Sequence, residues 1–166
     1  MRRVYLWVAA ALVVIAFLYG ATAIASVGER TFKARLDGFQ ETPSHYTSGW
    51  GFLNLWISQD GTSITYELWY VNVEADVTAA HIHLGAKGTA GGVIAFLCGG
   101  GGKPACPARA GTVSGTITAS DIIGPADQGI QQGQMDKVVQ SVRAGAVYAN
   151  IHTSKYPAGE IRGQLE

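Results

Sequence analysis

Three of the chain's four histidines sit in two short phrases about seventy residues apart, Ala79-Ala80-His81-Ile82-His83-Leu84-Gly85 and Tyr148-Ala149-Asn150-Ile151-His152-Thr153. Alternate side chains of an extended strand share a face. His81 and His83 therefore point one way on their strand, Asn150 and His152 share a face on theirs, and Ile82 and Ile151 point oppositely. Imidazole nitrogen is a ligand for zinc and copper, and two histidines at i and i+2 with a third on a neighbouring strand can build a three-histidine site. The same residues admit a reading without metal. In it His83 and His152 are buried structural groups bonded to backbone or to a polar neighbour such as Glu160. Glu160, Arg162 and Gln164 alternate onto one face of the last segment, and with Asn150 they could form a buried polar network containing a Glu–Arg pair. Direct catalysis by the imidazoles is a third reading. His45 follows Pro43-Ser44 in a loop, where a solvated side chain is the default and a fourth ligand the alternative.

No other catalytic signature accompanies them. The chain has no Gly-x-Ser-x-Gly elbow, no phosphate-binding glycine loop ending in Lys-Ser/Thr and no His-Glu-x-x-His helix. The glycine run 99–102 precedes Lys103 but opens no helix. It lies between Cys98 and Cys106, and its flexibility lets the two sulfurs meet, so a local disulfide is expected in an oxidising compartment; a cysteine-liganded metal is the other use of such a pair. Net formal charge is zero, from 12 Lys plus Arg against 12 Asp plus Glu. Without a basic stripe carrying interleaved aromatics, the sequence gives no support to nucleic-acid binding.

The elements that must position these groups are short and extended. Strands are predicted over 32–37, 50–57, 64–71, 77–84, 92–98, 111–118, 146–153 and 159–165, with the Asp60-Gly61 turn joining the second and third as a hairpin. One helix is predicted from Gln134 to Arg143, with Val138, Val139 and Val142 as its apolar stripe and Gly145 to end it. Trp50, Phe52 and Trp56 share one face of the second strand, and Tyr66, Leu68 and Tyr70 share one face of the third. One such face must fill the core. The other, if exposed, is a surface for a partner protein or a glycan.

Several of these motifs occur together and in order: Phe32 to Pro43 with Gly38-Phe39-Gln40-Glu41-Thr42, then His81-Ile82-His83-Leu84-Gly85 with Gly91-Gly92, then Asn150-Ile151-His152-Thr153 with Gly159-Glu160-Ile161-Arg162-Gly163-Gln164. The set resembles the CHRD domain, the module named after chordin and widespread in exported bacterial proteins. The resemblance covers about residues 31–166. It implies an immunoglobulin-like sandwich, and together with the strands and helix above the expectation is an all-β, Greek-key antiparallel β-sandwich of seven or eight strands with one short helix, serving as a binding or structural module.

Between Arg3 and Glu29 no residue carries a formal charge. The run from Val4 to Ala25 is long enough to cross a bilayer as one helix, and Arg2 and Arg3 would keep its start in the cytoplasm. Ala23-Ile24-Ala25 before Ser26 is also an acceptable signal-peptide cleavage site. Residues 1–28 are thus expected to be a transmembrane anchor or a signal peptide, and residues 29–166 the domain. The expected protein is a single-pass component of the bacterial inner membrane, with its domain in the periplasm or on the outer surface. It is expected to contact lipid through the anchor and to serve, without enzymatic activity, as an accessory subunit docked on other subunits of a membrane complex. The alternative is a copper- or zinc-binding metalloprotein using His81, His83 and His152.

Overall fold

The computed structural model describes Gly28 and residues 30–166. The anchor or signal peptide expected over residues 1–28 lies outside the described residues apart from Gly28. Among the described residues no helix is long and apolar enough to cross a membrane.

Eight strands form among the described residues: β1 (Thr31–Asp37), β2 (Trp50–Ile57), β3 (Ser63–Val71), β4 (Val77–Leu84), β5 (Val93–Cys98), β6 (Gly111–Thr118), β7 (Val147–Thr153) and β8 (Ile161–Gln164). They join in one continuous sheet of order β5-β4-β7-β8-β1-β2-β3-β6, and every neighbouring pair is antiparallel. The expected all-β antiparallel architecture is present. Its hydrogen bonding runs unbroken through all eight strands rather than through two separate sheets.

The sheet curls until its edges approach. The Tyr66 hydroxyl of β3 donates to the Leu97 carbonyl of β5 at 2.6 Å, and Lys103 Nζ, just past β5, donates to the Thr116 carbonyl of β6 at 2.7 Å. Cys98, at the end of β5, is disulfide-bonded to Cys106. The expected pairing is therefore present, and it pins the glycine-rich loop beside that seam.

Alternation decides which side chains fill the interior. On β2, Leu53, Leu55 and Ile57 are buried while Phe52 and Trp56 point outward; on β3, Ile64, Tyr66, Leu68 and Tyr70 are buried. Ile82 and Ile151 enter the same core, opposite in direction to the histidines beside them. At the Asp60-Gly61 hairpin the Asp60 carboxylate accepts hydrogen bonds from the Ser58 and Thr62 hydroxyls, and Gly61 takes the positive φ of 71° that the turn needs. The one α-helix among the described residues, α1 (Met135–Arg143), turns Met135, Val138, Val139 and Val142 into the core. Gly145, at φ 67°, ends it as expected.

Candidate metal centre

β4 and β7 lie side by side, with His81 opposite Asn150, His83 opposite Tyr148 and Ala79 opposite His152. Adjacency across the long sequence separation brings the two phrases onto one outer face of the sheet. Ring centroids are 5.4 Å apart for His81 and His83, 4.9 Å for His81 and His152, and 6.0 Å for His83 and His152. One potential ligand atom from each ring lies within 4.8 Å of the other two. The β4–β5 register slips at Ala80/His81 and again at Ile82/His83. Such irregularities re-aim side chains, and here they flank both histidines of the strand.

Two of the rings are held by backbone carbonyls. His83 Nδ1 lies 3.0 Å from the Gly91 carbonyl, and His152 Nδ1 lies 3.0 Å from the Pro157 carbonyl. A carbonyl only accepts, so each Nδ1 carries the proton and each Nε2 is left with a lone pair. Those Nε2 atoms are buried without a hydrogen-bond partner, as are both ring nitrogens of His81. An imidazole whose Nδ1–H is fixed on a backbone carbonyl is the arrangement that fixes the tautomer of a metal-binding histidine. The Gly91 carbonyl reaches His83 because its loop folds tightly against the end of β4. A Cβ on Gly91 would sit 1.6 Å from the Leu84 carbonyl oxygen.

Burial keeps the rings neutral. It pushes the pKa of His81 down to about 3, helped by His152 and His83, and that of His83 down to about 4, against the opposing bond to Gly91. His152 is lowered by the same burial. Neutral imidazole is the form that ligates, so protons do not compete for these nitrogens near pH 7.

Aromatic groups wall the cluster. Tyr148 stacks on His83 with centroids 4.8 Å apart and planes 8° off parallel, and its hydroxyl accepts from the Gly91 amide at 3.1 Å. The Arg162 guanidinium covers the other face of Tyr148, 3.4 Å from the ring centroid. Phe96, opposite His81 on β5, meets that ring edge-on at 4.3 Å. The disulfide-pinned loop closes over Phe96, since a Cβ on Gly100 would lie 2.4 Å from the phenyl ring.

The polar residues expected to form a network are buried, but they bond to other partners than the histidines. Glu160 accepts from the Thr47 and Thr153 hydroxyls, both at 2.7 Å, and from the Glu74 amide at 2.8 Å. Arg162 donates to the Thr89 carbonyl and to the Thr42 hydroxyl. Among the described residues the expected Glu160–Arg162 pair does not form: Glu160 is engaged by Thr47, Thr153 and the Glu74 amide, and Arg162 by Thr42 and Thr89. Gln164 Nε2 reaches the Gly85, Gly145 and Val147 carbonyls, at 3.0, 2.7 and 3.0 Å. Asn150 donates to Glu41 at 2.5 Å and to the Ile161 carbonyl at 3.0 Å. Burial raises the Glu41 pKa to about 7, against the pull of Asn150 and the Arg162 charge. That contact needs a glycine at 159, whose Cβ would otherwise lie 2.6 Å from Asn150 and 2.7 Å from Glu41.

His45 stays out of the cluster and stacks on Tyr156, with centroids 4.6 Å apart. The supporting roles of Tyr148 and Phe96 were not anticipated from sequence. Tyr148 carried a signal, since period-two alternation puts it on the face of Asn150 and His152; Phe96 carried none, because nothing local reveals that β5 borders β4.

The CHRD domain family model matches residues 32–165. The chain belongs to the CHRD family. Comparison with curated proteins and with solved structures found no match. CHRD membership fits a binding module of the kind found outside the cytoplasm, and among the described residues the three-histidine cluster is a group that could hold a metal ion.

Proposed function

We propose that this CHRD protein is a non-enzymatic, extracytoplasmic binding module that holds one copper or zinc ion through His81, His83 and His152. One observation carries the reading. Four nitrogens of these three rings are buried without hydrogen-bond partners, whereas Asn150, Thr153 and Tyr148 beside them are bonded; elsewhere among the described residues His45 Nε2 and Gln164 Oε1 are the other such side-chain atoms. Buried polar atoms without partners are costly and rare, and in a purely structural network these nitrogens would be the ones left out. Three neutral nitrogens with no carboxylate among them suit the borderline ions copper and zinc over calcium or magnesium. The fit asks for modest closure. Metal–nitrogen bonds of about 2.0–2.1 Å place tetrahedral ligands about 3.4 Å apart, nearer than the present spread. His81, which has no hydrogen bond to hold its ring, is free to turn inward. A bound ion would supply a Lewis-acidic centre with one coordination position left for an outside ligand.

The setting proposed for the module is the periplasmic side of the inner membrane. The uncharged run after Arg3 supports a tether there, and alkaline carbonate extraction tests it. Docking on other membrane subunits is a further proposal, tested by co-purification in mild detergent.

The metal reading is tested by stripping the protein with chelator, adding zinc or copper, and counting ions per chain after gel filtration. We expect about one ion per chain in the wild type and none retained in His83→Ala or His152→Ala, with circular dichroism unchanged. A wild type that retains no ion, or variants that retain it fully, would overturn the assignment.

A further inference from the structure

The half of the sheet farthest from the histidines presents an aromatic surface to the outside. Trp50, Phe52 and Trp56 project outward from β2, and Trp69 projects beside them from β3, opposite Phe52 in register. Phe52 is 42% exposed and Trp56 40%, while Phe39 at 67% and Tyr46 at 74% continue the row beyond the strand ends. None of these rings is needed inside. Leu53, Leu55, Tyr66, Leu68 and Tyr70 already fill the core beneath them, each at most 1% exposed. Exposed rings gathered on one face of the sheet in this way mark an interaction surface.

We infer that this aromatic face lies against the headgroup layer of the bilayer that holds the tether, an inference that rests on the membrane-tethered setting proposed above. Three observations select a lipid surface. The first is position: Thr31, where the described sheet begins, pairs with Trp56, and the Ile57 amide donates to the Arg30 carbonyl at 2.8 Å. Only residues 26–30 separate the Val4–Ala25 run from that point, at most about 20 Å of extended chain. A run seated in the bilayer keeps this end of the face at the membrane surface. The second is composition, because tryptophan, tyrosine and phenylalanine are the side chains that settle where hydrocarbon meets headgroups. The third is ring geometry. Trp50 meets Phe52 at 86° and Trp69 at 72°, so the rings pack edge to face and offer no coplanar platform to a sugar ring. A headgroup layer requires none.

Charge on the face is balanced. Lys33 and Arg35 of β1 are offset by Asp37 and Glu67, and Arg35 is paired with Asp37 at 3.3 Å. Contact therefore depends on the rings and takes place on zwitterionic lipid, with little response to salt.

The test uses the full chain carrying W7F, so that fluorescence comes only from Trp50, Trp56 and Trp69, reconstituted in phosphatidylcholine vesicles containing lipid brominated near the headgroup. The expected result is loss of emission to the brominated lipid and a shift to shorter wavelength relative to the same full chain held in amphipol without a bilayer. Both should be weakened by Phe52→Asp combined with Trp56→Ala, substitutions on exposed positions that leave circular dichroism unchanged. Alkaline carbonate extraction of the same vesicles reads the tether separately. Chain that resists extraction but keeps its full emission overturns the inference while leaving the tether standing. Chain released by carbonate removes the tether and this inference with it. Emission that changes only on adding oligosaccharide, or only in native membranes alongside a crosslink to another subunit, assigns the face to that partner and overturns the lipid contact.

Discussion

The two halves of one sheet solve the same inward problem and opposite outward ones. Beneath β4 and β7 the core takes Ala80, Ile82, Ala149 and Ile151; beneath β2 and β3 it takes Leu53, Leu55, Tyr66 and Leu68. Outward, β4 and β7 carry imidazole, amide and phenol groups fixed by directed bonds to the Gly91, Pro157 and Ile161 carbonyls. Outward, β2 and β3 carry rings that touch mainly one another. A surface held by directional bonds suits a ligand of defined geometry. One held by edge-to-face ring contacts suits a surface without fixed geometry, and these are the two kinds of partner proposed above.

The largest contrast should appear between neighbours on β2. Leu55→Ala removes a fully buried side chain and should cost about 2–5 kcal/mol. Trp56→Ala, one residue on, should change stability by no more than about 0.5 kcal/mol. Denaturant melts of the two variants check this, and a large loss at Trp56 would make the aromatic face structural and collapse the comparison. Next comes the disulfide. Cys98→Ser with Cys106→Ser opens a short loop and should cost about 2–3 kcal/mol. By freeing the loop over Phe96 it should also weaken zinc binding beside His81, measured by competition with a chromophoric chelator, while leaving the Trp50–Trp56 fluorescence as it was.

A smaller effect is expected at Tyr148. Replacing it with Leu removes the ring stacked on His83 and the hydroxyl bonded to Gly91, and should reduce metal affinity about tenfold without changing the number of ions bound. Unchanged affinity would show that His83 is positioned by its carbonyl alone.

The gentlest probe is pH applied to metal-free protein. His81 and His83 titrate at about 3 and about 4 in the folded protein, and His152 is also lowered, against an ordinary value near 6.5. Below pH 6.5 the unfolded chain therefore binds more protons, so the stability these residues contribute above that pH is lost progressively toward pH 4. Glu41 acts oppositely: its pKa is raised from 4.5 to about 7, so its contribution is present below pH 4.5 and fades as pH rises through 7. Three groups outweigh one, and the melting temperature should fall between pH 7 and pH 5. Glu41→Gln should steepen that fall. A melting temperature that rises on acidification would mean that the imidazoles are not buried neutral.

Much of this was legible in the chain. Alternation on β2 and β4 gave the strand limits to within a residue, and it set Ile82 and Ile151 opposite the histidines without saying which face is the inner one. Alternation could not choose the inner face of β2, since Leu53-Leu55-Ile57 and Trp50-Phe52-Trp56 are both apolar and only packing separates them. The approach of β7 to β4 was equally hidden, because pairing across that separation is set by the whole sheet. The carbonyls that orient His83 and His152 have no side-chain signature at all. Glu160 and Arg162 were correctly expected to be buried, yet pairing them with each other overlooked Thr153 at the end of β7 and Thr47 and Thr89, whose positions depend on loop paths.

The most direct test of the three-histidine site is X-ray absorption at the metal edge of the zinc- or copper-loaded protein, read beside His81→Ala. The account predicts three imidazole nitrogens at about 2.0–2.1 Å in the wild type and two in the variant. A metal shell of oxygens or sulfurs, or a nitrogen count that ignores the loss of His81, would contradict it.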